Sequence, residues 1–299
     1  MSQIKRLCSL FLLLSAIILS GQQVYATEGG GGAYPNGAED FMSGAVPPPG
    51  TYFINYFDYY SADKLADNSG NKLLPGFKLN VTADVLRLIH VTDKQILGGF
   101  WAMHLLLPIM NVDLSVPIPG ASKSKTGFGD MIVTPFILAW HSKNWHAAAG
   151  LEFFIPTGSY DKKDMANTGR NYWTFEPVFS GTYITDSGYE VSGKFMYDIN
   201  TKNSDTDYLS GHEFHVDYAL GKKIDKFTLG AAGYYYQQVT DDESKGVTVK
   251  NNSGSVVAIG PAIKYDYNKM SFSLKYLFET AAYNRPQGDN LWFKFSYAF

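Results

Sequence analysis

The sequence predicts an all-β protein, a closed antiparallel transmembrane β-barrel of about twelve strands in a bacterial outer membrane. Three observations predict it: strand-like segments too long for a soluble domain, alternation of short and long connections, and period-two alternation of apolar and polar side chains.

The chain opens as a secretory signal. Lys5 and Arg6 form a short positive region, Leu7 to Leu19 an apolar run, and Val24 and Ala26 the small-residue pattern before a cut. Residues 1–26 are therefore expected to be a signal peptide, with the mature chain starting at Thr27. The only cysteine, Cys8, lies inside that signal, so no disulfide, thiolate metal site or cysteine nucleophile is expected in the mature chain. Beyond the signal no apolar run is long enough for a membrane helix. Residues 27–49 are Gly-rich, then Pro-rich up to Pro47-Pro48-Pro49, and are expected to form a flexible lead-in. Residues 50–299 are expected to form the barrel.

The formal charge of -3 and the lack of Lys/Arg clusters argue against nucleic acid as a partner. The aromatic fraction of 15%, with 21 Tyr and 20 Phe, fits girdles at the two membrane interfaces.

Twelve strand segments are expected: 50–60, 76–91, 96–115, 128–140, 145–157, 171–185, 188–200, 210–221, 225–240, 254–267, 270–282 and 290–299. Most are long enough to cross a bilayer at a tilt, which takes about 9–11 residues, whereas soluble strands average about 5–6. Connections after the even segments are short: Thr92-Asp93-Lys94, Ser142-Lys143-Asn144, Asp186-Ser187, Lys222-Lys223-Ile224 and Asn268-Lys269. Those after the odd segments are mostly longer and more polar, as at 61–75, 116–127, 158–170, 201–209 and 241–253. One rim should thus carry tight turns and the other loops, as in outer-membrane barrels. In the last segment Leu291, Phe293, Phe295, Tyr297 and Phe299 share one face, opposite Trp292, Lys294 and Ser296. The same alternation recurs in 257–267 and 269–278. Between Phe77 and Val91 the apolar odd row is broken by Arg87, which suggests a bulge near Leu86. The terminal aromatic Phe299 resembles the signal by which barrel-assembly machinery recognises its clients.

Two further segments stand out. Gly127-Phe128-Gly129-Asp130 leads to Thr134-Pro135 and Trp140, and Phe154-Ile155-Pro156-Thr157-Gly158-Ser159-Tyr160-Asp161 follows. Physically, Gly127 and Gly129 allow a tight path into a strand, Asp130 can accept backbone N–H bonds, and Pro135 belongs where the ladder is broken. With 171–177 and the terminal Phe, these segments resemble the meta-pathway phenol-degradation family of transporter-like outer-membrane proteins. The resemblance covers Pro49 to Phe299 and implies passage of small, aromatic or apolar, molecules.

Charged side chains within strands are candidates for lining the lumen: Glu152, Glu176, Lys194, Asp198, Glu213, Asp217, Lys264, Asp266 and Lys275. Their mixed signs fit either a paired plug or a wet selectivity lining. Leu73-Leu74-Pro75 is a loop that could pack inward or meet an apolar solute. No cofactor and no metal are expected: His212 and His215 fall on opposite faces of one strand. Outer-membrane phospholipases carry a His-x-Ser-Asn-Gly signature. Its nearest approach here, His141-Ser142-Lys143-Asn144, sits in a tight turn, so enzymatic activity is not expected. The expected function is passive uptake of small molecules through an outer-membrane channel, with membrane lipid and the solute as partners. The rival is a structural or interaction barrel with a closed lumen.

Overall fold

Tight turns set the register of the sheet. Leu97, Asp225 and Asn268 adopt left-handed φ of 50°, 53° and 53°, each opening a two-residue link between antiparallel strands. The computed structural model describes residues 27–117 and 122–299. The expected signal peptide, with Cys8, lies outside the described residues, as do 118–121 of the expected loop 116–127.

The strands are β1 (Gly50–Leu65), β2 (Lys78–Ile96), β3 (Gly99–Ser115), β4 (Lys123–Phe128), β5 (Met131–His141), β6 (Trp145–Ile155), β7 (Thr174–Ile184) and β8 (Tyr189–Asn200). They continue with β9 (Tyr208–Leu209), β10 (Glu213–Ile224), β11 (Phe227–Gln238), β12 (Asp242–Ser244), β13 (Val247–Val249), β14 (Ser255–Tyr267), β15 (Met270–Tyr283) and β16 (Pro286–Ala298). Thirteen of them form one antiparallel sheet, in which β1 pairs with β16 and β2 with β3, so the sheet closes on itself. Both β4 and β5 pair with β3, so they share one lane and the barrel has twelve. Full closure leaves no free edge, the requirement for a sheet in lipid. The short strands β9, β12 and β13 form a three-stranded sheet on the loop rim. It is held by buried Asp242, which accepts from Tyr208 Oη at 2.7 Å and from the Gly211 amide at 2.7 Å.

The outer face is apolar, with Leu88, Leu105, Ile259, Leu274 and Phe293 exposed. It is bounded by aromatics near both rims: Trp145, Tyr189, Phe227 and Tyr267 by the turns, Tyr59, Phe128, Trp173 and Tyr283 by the loops. Such girdles mark the two edges of a bilayer. The protein is an outer-membrane β-barrel, in contact with membrane lipid. Among the described residues no helix is long and apolar enough to span a membrane.

Several boundaries differ from expectation. Strand β2 runs on through Thr92-Asp93-Lys94 to Ile96, and the turn is Leu97-Gly98. Polar Asp93 mimics a turn because it lies in the part of the hairpin beyond the apolar band. The link at 222–224 is strand, and Asp225-Lys226 turns instead. On the loop rim β15 and β16 are joined by two residues only, Asn284 and Arg285, so the short-long alternation fails there. The bulge near Leu86 is absent, and β1 and β2 pair without a shift from Gly50↔Val91 to Ala62↔Leu79. Arg87 points inward with the rest of the odd row. That row is the lumen face, and Asn80, Thr82, Asp84, Leu86 and Leu88 share the outer face, so on β2 the more apolar row lies inside. Pro135 does sit at a break: both ladders of β5 shift register beside it.

Candidate functional site: a threaded lumen

Residues 27–49, expected to be a flexible lead-in, run inside the barrel from the loop rim to the turn rim. At the loop rim Asn203 donates to Glu28 at 2.8 Å. Midway Tyr34, Asn36 and Glu39 meet the walls, and at the turn rim the Gly44 amide donates to Thr182 Oγ1 at 3.0 Å. Beyond one 3-10 turn at Glu28–Gly30 the glycines and prolines build no regular element, but they make a thin segment that the lumen can enclose. Gly44 fits because a Cβ there would lie 2.6 Å from the backbone of Gly181. Order comes from the barrel, through partners most of which are more than a hundred residues away in sequence.

Asp217 is the main anchor. It accepts from Tyr34 Oη at 2.6 Å, from the Gly37 amide at 2.8 Å and from the Glu39 amide at 2.9 Å. A carboxylate with three donors gains about 1.5–3 kcal/mol from each, although such bonds do not add fully. Across the lumen the lead-in presents two acids to cations of the opposite wall. Glu39 pairs with Arg87 at 2.8 Å and with Lys294 at 3.6 Å, and Asp40 pairs with Lys275 at 3.3 Å and with Lys294 at 2.5 Å. Burial alone would push both carboxyls upward, but the surrounding Lys and Arg charges outweigh it and hold both below their ordinary values.

Arg87 is the hub of a belt. It donates to Tyr56 Oη at 2.7 Å and to His104 Nδ1 at 2.8 Å. His104 Nε2 shares a 2.6 Å hydrogen bond with Thr134, and Lys194 pairs with Glu152 at 3.2 Å. Two cavities flank this belt, and both are lined by Glu39, Arg87, His104, Glu152 and Lys194. The larger, about 440 Å³, opens toward the loops and has a wall of Leu79, Val81, Val85, Leu106, Met110 and Val112. The smaller, about 50 Å³, lies toward the turns beside Val46, Ile137 and Ala148.

The family described as "Putative MetA-pathway of phenol degradation" matches residues 62–295. The chain belongs to this family. Among solved structures, this phenol-degradation family member is similar to the COG4313 outer membrane channel from Pseudomonas putida F1. Their TM-score is 0.77 at 18% identity, over 85% of this chain and 97% of that one. It is also similar to the beta domain of the Bordetella autotransporter BrkA, with a TM-score of 0.51 at 11% identity, over 84% of this chain and 100% of that one. At these identities the likeness shows the fold. No curated protein matches the chain in sequence.

The candidate lining residues of this family member separate into two groups. Glu152, Glu176, Lys194, Asp198, Glu213, Asp217 and Lys275 are all buried in the lumen. Lys264 and Asp266 pair at 2.8 Å near the turn rim, where Asp266 stays a third exposed. The two sequence motifs meet each other. Asp130 accepts from the Gly158 amide at 2.9 Å and from the Arg170 amide at 2.8 Å. Thr157 Oγ1 accepts from the Met131 amide at 3.0 Å, next to Pro156. Gly158 and Gly169 cross so closely that a Cβ on either would lie 2.6 Å from the other's backbone. Gly127 and Gly129 lie against this crossing, beneath Thr168. The motifs thus clamp loop 156–173 over the barrel mouth. Leu74 packs inward with Leu65 and Phe77, while Leu73 is exposed. Phe299 lies at the turn rim, its amide donating to Thr51 at 3.2 Å.

Sequence reading missed Glu39, Asp40, Arg87, His104 and Lys294 as site residues. Arg87 carried a signal, a lone cation in an apolar row. Glu39 and Asp40 carried none, since nothing in a Gly/Pro-rich stretch tells which acid will meet which wall.

Proposed function

We propose that this protein is a passive outer-membrane channel for small apolar or aromatic molecules, which enter from the loop rim. The observation that carries this reading is the cavity of about 440 Å³ with one apolar wall, set above a charged belt. That volume suits a molecule the size of a substituted benzene ring, and small-molecule sites run from about 300 to 1,000 Å³. A solute resting on the β2–β3 wall would move toward the turns when the Glu39–Arg87 contact opens and the lead-in shifts. The sheet supplies a rigid frame, and the lead-in supplies the part that moves. The family's name and the description of the Pseudomonas protein as an outer membrane channel support the same direction.

A second reading is favoured by the lead-in itself. Its anchors at Asp217, Arg87, Lys275 and Lys294 would suit a lumen that stays closed, leaving the loops to bind partners. Liposome uptake separates the two. Purified protein should admit phenyl-bearing solutes too polar to leak through lipid faster than sugars of like mass. Uptake of neither class would favour the closed barrel, and equal uptake of both would remove the apolar preference.

A further inference from the structure

The polar wall of the lumen contains a row of carboxylates that the lead-in contacts do not explain. Cross-strand register places Glu152 opposite Glu176, Glu176 opposite Asp198, and Asp198 opposite Glu213. Four acids therefore stand side by side on four neighbouring strands, all facing inward. Lys194 serves the Glu152 end. At the other end His215, two residues beyond Glu213 on the same face, is fully buried with Asp198 and Glu213.

We propose that Asp198, Glu213 and His215 form a binding site for a divalent transition-metal ion, with Glu176 beside it as a further oxygen donor. Four observations carry this. First, His215 Nε2 lies 3.3 Å from Asp198 Oδ2 and 3.4 Å from Glu213 Oε2. Donors about 2.1 Å from a tetrahedral ion stand about 3.4 Å apart, so these are the edges of such a site. Second, neither contact meets hydrogen-bond geometry. His215 Nε2, both Asp198 oxygens, Glu213 Oε2 and both Glu176 oxygens are buried without a hydrogen-bond partner among the described residues. One imidazole N–H could not aim at two carboxylates at once, and so many bare oxygens in a dry site need a cation.

Third, the outer contacts orient the ligands. His215 Nδ1 donates to Asn36 Oδ1 at 2.7 Å, which turns the lone pair of Nε2 toward the two acids. Asn200 Nδ2 donates to Glu213 Oε1 at 3.2 Å and leaves Oε2 for the ion. Fourth, the lead-in closes the site: Gly32 lies against it, and a Cβ there would lie 2.1 Å from Glu213 Oε2. One imidazole with two or three carboxylates suits Zn²⁺ or Mn²⁺ better than a soft ion. Because Asn36 belongs to the lead-in, a bound ion would fasten the lead-in within the barrel. This inference does not depend on which solute the channel passes.

The test is metal binding to the full mature chain in detergent, after chelator treatment, with Zn²⁺ as probe and Mg²⁺ as control. The exposed pair His141 and His146, with Nδ1 atoms 3.0 Å apart, could bind Zn²⁺ by itself, so the background is His146→Ala. The expected result is one Zn²⁺ per chain by elemental analysis, a raised Tm, and no retention of Mg²⁺. Asp198→Asn should abolish binding. Asn36→Ala lies outside the strands, leaves the barrel intact, and should weaken binding about tenfold as the loss of an outer-shell partner. No Zn²⁺ above that of chelated protein, or an affinity in Asp198→Asn equal to that of the His146→Ala background, would overturn the site. The cluster would then be a protonated imidazole between two acids.

Discussion

The two walls of the lumen differ in chemistry, and the lead-in lies against one of them. The wall of β2 and β3 is aliphatic on its loop side, with Val81, Val85, Leu106 and Met110 facing the large cavity. The wall of β7, β8 and β10 carries Glu176, Asp198, Glu213 and Asp217, and the lead-in lies against it. A peptide with free amides and hydroxyls belongs on the acidic wall, where its donors find acceptors. It would gain little on the aliphatic wall, and an apolar solute would gain little on the acidic one. Polarity therefore divides the bore into a holdfast and, on the proposed function, a solute path, which meet at the Arg87 belt.

The largest effect should come from removing the holdfast. Asp217→Ala strips acceptors from Tyr34, Gly37 and Glu39 and should weaken lead-in docking by about 3–5 kcal/mol, less than the full sum of three hydrogen bonds to a carboxylate. Protease cleavage within residues 27–49 of the reconstituted protein would show it, and a lead-in still protected would mean the polar wall is not what holds it. Acid should come next. Glu39 and Asp40 belong to no spanning strand, and their carboxyls are held below the ordinary 4.5 and 3.8 by Lys and Arg after burial is overcome. Their contribution is complete above those values and is lost as pH falls through the depressed folded ones. Conductance should thus be low at neutral pH and rise below about pH 4 as the lead-in loosens.

Arg87→Leu would extend the aliphatic wall through the belt and cost the lead-in about 1.5–3 kcal/mol, a charged hydrogen-bonded contact to Glu39. Uptake of phenyl-bearing solutes into liposomes should rise about tenfold, and a fall would make Arg87 a binding group rather than a barrier. Val85→Ser, which places a hydroxyl on the path, should weaken apolar solutes by about 1–1.5 kcal/mol without raising sugar uptake. Lys264→Gln should do least. The pair it forms with Asp266 is partly open to water near the turn rim, so the loss should stay within about 1 kcal/mol and ion selectivity should barely move. A large selectivity change there, compared with Glu152→Gln at the belt, would move the constriction to the turns.

The contrast between walls also explains what could be read in the sequence. Strands β14 to β16 were legible because one face is aliphatic or aromatic and the other carries Lys264, Lys275 and Lys294. On β2 the apolar row faces the lumen and the outer row carries Asn80, Thr82 and Asp84, so period two points the wrong way, and Arg87 looked like a fault in the row. The lining acids were legible as inward positions. Their convergence was not, because the register that sets Asp198 beside Glu213 joins strands separated by a loop. His212 and His215 do point to opposite faces, as expected, but the partners of His215 lie across the ladder and along its own face. The path of the lead-in was illegible for a different reason. Its composition has no period, and its conformation is imposed by the walls around it.

The central claim is that residues 27–49 pass through the lumen against the polar wall. The Met42 amide donates to Ser192 Oγ at 3.1 Å, which makes Met42→Cys with Ser192→Cys the direct probe once Cys8, the one cysteine of the sequence, is replaced. In the folded, membrane-inserted protein the pair should close into an intramolecular disulfide on mild oxidation and be shielded from a charged maleimide. Rapid labelling of both thiols, with no disulfide formed, would place the lead-in outside the barrel and contradict the account.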